Sequence, residues 1–123
     1  MARTPKQITG DTGEALARRH LEGSGLTFVA ANWRCKVGEV DLIMRDETEQ
    51  ALVFVEVRTR RPTQYGSGSD TVAHEKQRKL INTARYYQQK MNYWDDLRFD
   101  VVSVEAAPNQ APEIEHISDA FEV

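Results

Sequence analysis

The sequence predicts one α/β domain with its elements in the order α-β-β-β-α-β-β. Three observations carry this: a length of 123 residues, a composition 40% hydrophobic and 28% charged, and a hydrophobic period that alternates along the chain between that of helices and that of strands. The length suffices to bury a sizeable core but is short for two domains of typical size. The composition is that of a globular protein, neither disordered nor membrane-like.

After an arm at residues 1–10, Thr9 or Asp11 can cap a first helix through GEALARRHLE, with Glu14 in its first turn, and Gly23 and Gly25 stop it. LTFVAANWRC (26–35), EVDLIMR and ALVFVEVRT read as three strands, with the polar DETEQ between the last two as a hairpin turn. Pro62 and the Gly and Ser residues of RRPTQYGSGSD make 60–70 a loop. From about Thr71, apolar Leu80, Ile81, Ala84, Tyr87 and Met91 recur at the spacing of one helix face. RFDVVSVEA (98–106) is a fourth strand and EIEHI a short fifth after the loop APNQAP. No repeat or linker divides residues 11–123, which form one domain.

No apolar run approaches the roughly 20 residues a membrane helix needs, and the start of the chain lacks the apolar segment of a signal peptide. The single cysteine, Cys35, reads as a strand residue and cannot form an internal disulfide, which favours a cytoplasmic protein. The net charge of −3 conceals a split: residues 1–55 carry −1, residues 56–90 carry +5 and residues 91–123 carry −7. A local positive surface can serve phosphate contacts even on an acidic chain; a solvated helix face is the alternative.

A hairpin centred on Thr48 and Glu49 makes residues whose numbers add to 97 face each other, which sets Asp41 opposite Glu56. Val40, Leu42 and Met44 then share a core face with Val53, Val55 and Val57, while Glu39, Asp41 and Arg45 lie on the other face with Glu56 and Arg58. Facing residues stand about 4.5–5.5 Å apart at Cβ, where like charges destabilise, so something must compensate the two carboxylates. A divalent cation such as Mg²⁺ would do so, and so would a salt-bridge network through Arg58 and Arg45. A one-residue shift would send the carboxylates to opposite faces.

Glu14, then Asp41, then Glu56-Val57-Arg58 form an ordered constellation that resembles the PD-(D/E)xK nuclease superfamily, with its restriction-endonuclease-like fold and its archaeal Holliday-junction resolvases. More closely, GEALARRHLEGSGL, GEVDLIMR, VFVEVRTR, KQRKLINTAR, RFDVVSVE and IEHISDAF together are similar to the YraN-like family of small bacterial proteins with this fold. Any single block is weak; the ordered set spans nearly the whole chain beyond residue 10. The resemblance implies a mixed central sheet flanked by helices and a Mg²⁺ or Mn²⁺ site at Asp41, Glu56 and the Val57 carbonyl, with Glu14 contributing. Resolvases act as dimers, so it also implies a homodimer, although no stripe marks a dimer face.

One residue departs from the superfamily pattern, since Arg58 stands where lysine is usual. A guanidinium keeps its proton in proteins and cannot serve as a general base, so Arg58 is expected to meet negative charge on phosphate or to position water.

Arg60, Lys76, Gln77, Arg78 and Lys79, with Arg61 and Arg85, are candidate nucleic-acid contacts, each with a solvated or structural alternative. Gln77 lies on the apolar stripe of the second helix, Tyr65 could stack on a base, and Asp100 is either a support for the site or a hydrogen-bonded structural residue. His20, His74 and His116 show no ligand spacing, and no CxxC, HExxH or glycine-rich phosphate loop occurs, so zinc and nucleotide cofactors lack support. The resulting expectation is a metal-dependent endonuclease acting on DNA, with branched or otherwise irregular DNA as a candidate substrate; the alternative is a non-catalytic nucleic-acid-binding module on the same fold. An interaction module for another protein rests only on the acidic segment 91–123.

Overall fold

The computed structural model describes residues 5–60, 73–105 and 109–122. Helix α1 (Pro5–Gly23) leads into β1 (Thr27–Cys35), β2 (Gly38–Asp46) and β3 (Ala51–Arg60); α2 (His74–Met91), β4 (Asp96–Glu105) and β5 (Glu113–Phe121) follow. This is the α-β-β-β-α-β-β order read from the sequence. The five strands form one sheet in chain order, antiparallel except where β3 runs parallel to β4. The sheet is therefore mixed, with the parallel pair bridged by the connection that holds α2.

Helix α1 begins at Pro5, ahead of the start that Thr9 or Asp11 predicts, and both residues lie within it. Proline suits a first helical position because its missing N–H has no partner there in any case. The end is as read: the Leu26 N–H donates to Leu21 O at 3.0 Å and the Gly25 N–H to Glu22 O at 3.1 Å. These are the two bonds of a Schellman turn, and Gly25 takes its left-handed position at φ 104°.

Each face of the sheet buries a cluster. Under α1, Ala17 and Leu21 pack with Leu26, Leu42, Met44, Val53, Val55, Val102 and Val104, and Val57 joins them. Under α2, Leu80, Ala84 and Tyr87 pack with Val40, Ile43, Leu52, Phe54 and Phe99. In the second cluster Phe54 meets Tyr87 edge-on at 5.7 Å between centroids, a geometry that adds about 0.5–1.5 kcal/mol to area burial. Two glycines let the helices approach: a Cβ on Gly13 of α1 would strike the Thr59 hydroxyl of β3, and one on Gly38 of β2 would strike the Thr83 hydroxyl of α2.

The hairpin register is the predicted one, with Leu42 opposite Val55, Ile43 opposite Phe54 and Met44 opposite Val53. The predicted faces need one correction: Val40 packs under α2 with Ile43 and Trp33, not under α1 with Leu42 and Met44. On the facing strand, between the β1–β2 pairs Ala31–Leu42 and Trp33–Val40, Asn32 adopts a left-handed φ of 52°. A residue in that region breaks the strict alternation of a strand, and Asn tolerates it better than most. Strands β4 and β5 are longer than read, β5 reaching Phe121. Among the described residues, no helix is long and apolar enough to cross a membrane.

Candidate functional site

Strands β2 and β3 bring Asp41 and Glu56 together at the end of the hairpin away from its turn. Their backbone ladder ends at Leu42–Val55, and beyond it Asp41 Oδ2 accepts the Val57 N–H at 2.8 Å. The Asp41 side chain thus continues the strand pairing by one bond. Its pKa is pushed up to about 6, first by burial and then by the charge of Glu56, with Glu14 adding to the rise; the Val57 N–H and Lys76 act in the opposite sense. The negative charges of Glu56 on β3 and Glu14 on α1 therefore both act on Asp41.

Glu56 is buried, and Lys76 from the first turns of α2 pairs with its Oε1. Glu14 of α1 accepts the Asn32 side-chain amide at 3.0 Å. The left-handed Asn32 thus ties Glu14 to β1, and it was not among the residues the sequence singled out. Arg45, which the sequence offers as a neutraliser of Asp41 and Glu56, instead reaches Asp95 at 2.9 Å and Glu47 at 3.0 Å near the hairpin turn. Lys76 takes that part for Glu56.

A groove of about 660 Å³ opens beside Glu56. The β1–β2 turn, with Lys36, forms one wall, and α2, with Lys76 and Lys79, forms the other. Lys36 Nζ also stands 5.7 Å from the Tyr86 ring centroid, linking that turn to α2. Cys35 lines the groove as a half-buried strand residue whose thiol reaches Gly38 O at 3.5 Å.

The remaining candidates separate by position. Gln77 is half-buried on α2 and Arg78 is exposed. Arg85 lies elsewhere, in a groove with Trp94 and Asp96. Arg58 is half-buried on β3, opposite Ser103 of β4. Arg60 closes β3, but its side chain, with all of Arg61 and Tyr65, lies outside the described residues.

Asp100 is a structural residue. Arg98 grips it through two bonds of 2.9 and 3.0 Å, His116 Nε2 lies 2.7 Å from it, and the Asp119 N–H donates to it at 3.0 Å. Burial opposes its charge, but His116, Arg98 and the Asp119 N–H together hold its carboxyl below the usual carboxylate range. Arg98 also reaches Asp46 at 2.8 Å and Glu49 at 3.1 Å, which fastens the hairpin turn to β4. The signal for this hub was present in Arg98-x-Asp100, two opposite charges on one strand face.

Among the described residues no three His, Cys, Asp or Glu side chains are gathered closely enough to hold a metal by themselves. Asp41 and Glu56 nevertheless fit a hard divalent cation: both offer carboxylate oxygen, and burial together with the charge of Glu56 leaves Asp41 poorly compensated. Mg²⁺ characteristically takes one or two carboxylates and completes its shell with water and phosphate.

The sequence profile of the uncharacterised protein family UPF0102 matches residues 13–104. The chain belongs to the UPF0102 family. It is 44% identical over 118 residues to the UPF0102 protein of Stutzerimonas stutzeri (strain A1501), covering 94% of this chain and 96% of that one. To the UPF0102 protein YraN of Escherichia coli O139:H28 it is 47% identical over 125 residues, covering 96% and 90%. To the UPF0102 protein of Nocardia farcinica it is 41% identical over 117 residues, covering 94% and 91%. The UPF0102 match includes Glu14, Asp41, Glu56 and Lys76 and ends just before the close of β4.

Proposed function

We propose that this UPF0102 protein is a divalent-cation-dependent endonuclease of the restriction-endonuclease-like class, acting on DNA, with branched or otherwise irregular DNA as its substrate. The single observation that carries this reading is the Asp41–Glu56 pair: two mutually repelling carboxylates on adjacent strands, beside a groove edged by Lys36, Lys76 and Lys79. Asp41 satisfies the Val57 N–H, but a neutral acceptor would do that without setting a partly buried charge against Glu56. The element order and the Glu56-Val57-Arg58 sequence support the same assignment.

In this reading Asp41 and Glu56, with the Val57 carbonyl, would hold Mg²⁺ or Mn²⁺, which when bound polarises phosphate and lowers the pKa of water. The protein's own groups do the rest. Lys36 and Lys79 position the phosphate backbone along the groove, and Arg58 meets the charge that grows on the non-bridging oxygens. A water oxygen bonds to phosphorus as the ester P–O bond breaks; water gives a proton to solvent and the departing oxygen takes one from it. Glu14, held by Asn32, would orient water near Asp41.

Cleavage of duplex, single-stranded and four-way DNA with Mg²⁺ or Mn²⁺ tests the reading, with Asp41→Ala and Glu56→Ala as controls. Loss of cleavage in both variants is the expected result, and equal activity in wild type and variants overturns it. The Lys76–Glu56 ion pair, which neutralises one carboxylate without a metal, favours a second reading as a non-catalytic nucleic-acid-binding module. That module would bind DNA in a salt-sensitive way with no metal, survive Asp41→Ala, and give no heat on titration with Mn²⁺.

A further inference from the structure

We infer that Lys76, reaching the site from α2, is its mobile cation: it rests on Glu56 and transfers to the scissile phosphate when a divalent cation takes that carboxylate. This rests on the nuclease reading above and goes beyond it, because it gives an exposed helix lysine the place that Arg58 leaves without a lysine on β3.

Three features support it. Lys76 is directly paired with Glu56, yet the two side chains differ sharply in freedom, at 57% exposed for Lys76 and 11% for Glu56. The carboxylate is fixed while the ammonium stands on a solvated stem. Second, the same ammonium acts through space on Asp41, so one cation serves both carboxylates. Third, Lys76 lines the groove with Lys79 and Lys36, so the path from Glu56 leads toward the place where phosphate would lie.

The chemistry of the two cationic side chains points the same way. A lysine ammonium is a compact charge on four flexible carbons with three rotatable donors, whereas a guanidinium is a planar fork suited to one fixed geometry. Lys76 can therefore exchange a carboxylate partner for a phosphate oxygen while Arg58 stays with β3. A divalent cation at Glu56 and an ammonium on the same oxygens repel each other, so metal entry and lysine departure are coupled.

This coupling has a signature that neither a plain phosphate contact nor a structural ion pair shares. Removing the ammonium with Lys76→Met frees Glu56 from a competitor, so calorimetric Mn²⁺ affinity should rise about 3–10-fold. Turnover should meanwhile fall about 10²-fold or more, the usual loss when a donor to transition-state charge is removed, with KM little changed. Lys76→Arg keeps the charge and should restore wild-type Mn²⁺ affinity and part of the turnover. Unchanged Mn²⁺ affinity in Lys76→Met, or a raised KM with intact kcat, overturns the inference while leaving the nuclease reading standing. Wild-type protein that neither binds Mn²⁺ nor cleaves any DNA overturns both. Thermal melting of each variant reports folding separately, and the exposure of Lys76 makes both substitutions compatible with the fold.

Discussion

Asp41 Oδ2 accepts the backbone N–H of Val57 at 2.8 Å, one position past the last backbone pair of the β2–β3 ladder. The bond fixes the carboxylate beside Glu56, where burial first and then the charge of Glu56 oppose its ionisation. The folded-state pKa of Asp41 stands at about 6 against an ordinary 3.8. A carboxyl raised on folding destabilises the fold above its folded pKa, and the penalty disappears as pH falls below its unfolded value.

Asp41→Asn should therefore stabilise the metal-free protein at pH 8 while keeping an oxygen acceptor for the Val57 amide. After discounting for the partial exposure of Asp41, the gain is about 1–2 kcal/mol. Urea unfolding at pH 8 and pH 4 checks it: the gain should be present at pH 8 and nearly gone at pH 4. Loss of stability at pH 8 would refute it.

Asp100 has the opposite linkage. Its carboxyl is lowered in the fold, so its contribution is present above the ordinary carboxylate range and is lost as pH falls through the folded value. Asp100→Asn should cost about 3–5 kcal/mol at pH 7, because it leaves the buried Arg98 guanidinium without its two-pronged partner. The difference from wild type should shrink in acid unfolding curves as pH falls below the ordinary carboxylate range.

Gly38→Ala places a methyl against the Thr83 hydroxyl, which donates to Lys79 O at 2.8 Å. The overlap should cost about 1–3 kcal/mol. In a double-mutant cycle, adding Thr83→Ala should recover part of that loss, giving a coupling of at least about 0.5 kcal/mol. Strict additivity would show that β2 does not depend on this contact with α2.

Nucleic-acid binding should separate the basic residues by place. Lys36→Gln and Lys79→Gln, both in the groove beside Glu56, should each lower the slope of log affinity against log salt by about 1. Arg85→Gln, in the groove with Trp94, should leave that slope unchanged. Filter binding across a salt series distinguishes the two.

The parts of the fold that were legible in the sequence are those set by neighbours in the chain. The register summing to 97 follows from a short polar turn between two apolar runs, and the end of α1 follows from Gly25. The flip of Val40 was not legible, because strict strand alternation places it with Leu42 and Met44 while it packs with Ile43 under α2. Asp41 and Glu56 could be paired by counting, but their partners could not: Arg45 turns to Asp95, fifty residues away, and Lys76 comes to Glu56 from a separate helix. Long-range charge pairing is decided by where helices land on the sheet, and hydrophobic periodicity leaves that open.

Strand β3 occupies the middle of the five, with β2 and β4 beside it and β1 and β5 at the edges. Amide exchange should accordingly proceed from the rims inward, and fraying of β5 would leave the Val57 amide protected by its bond to Asp41. Partial opening of the molecule thus strips its margins before it disturbs the spacing of Asp41 and Glu56.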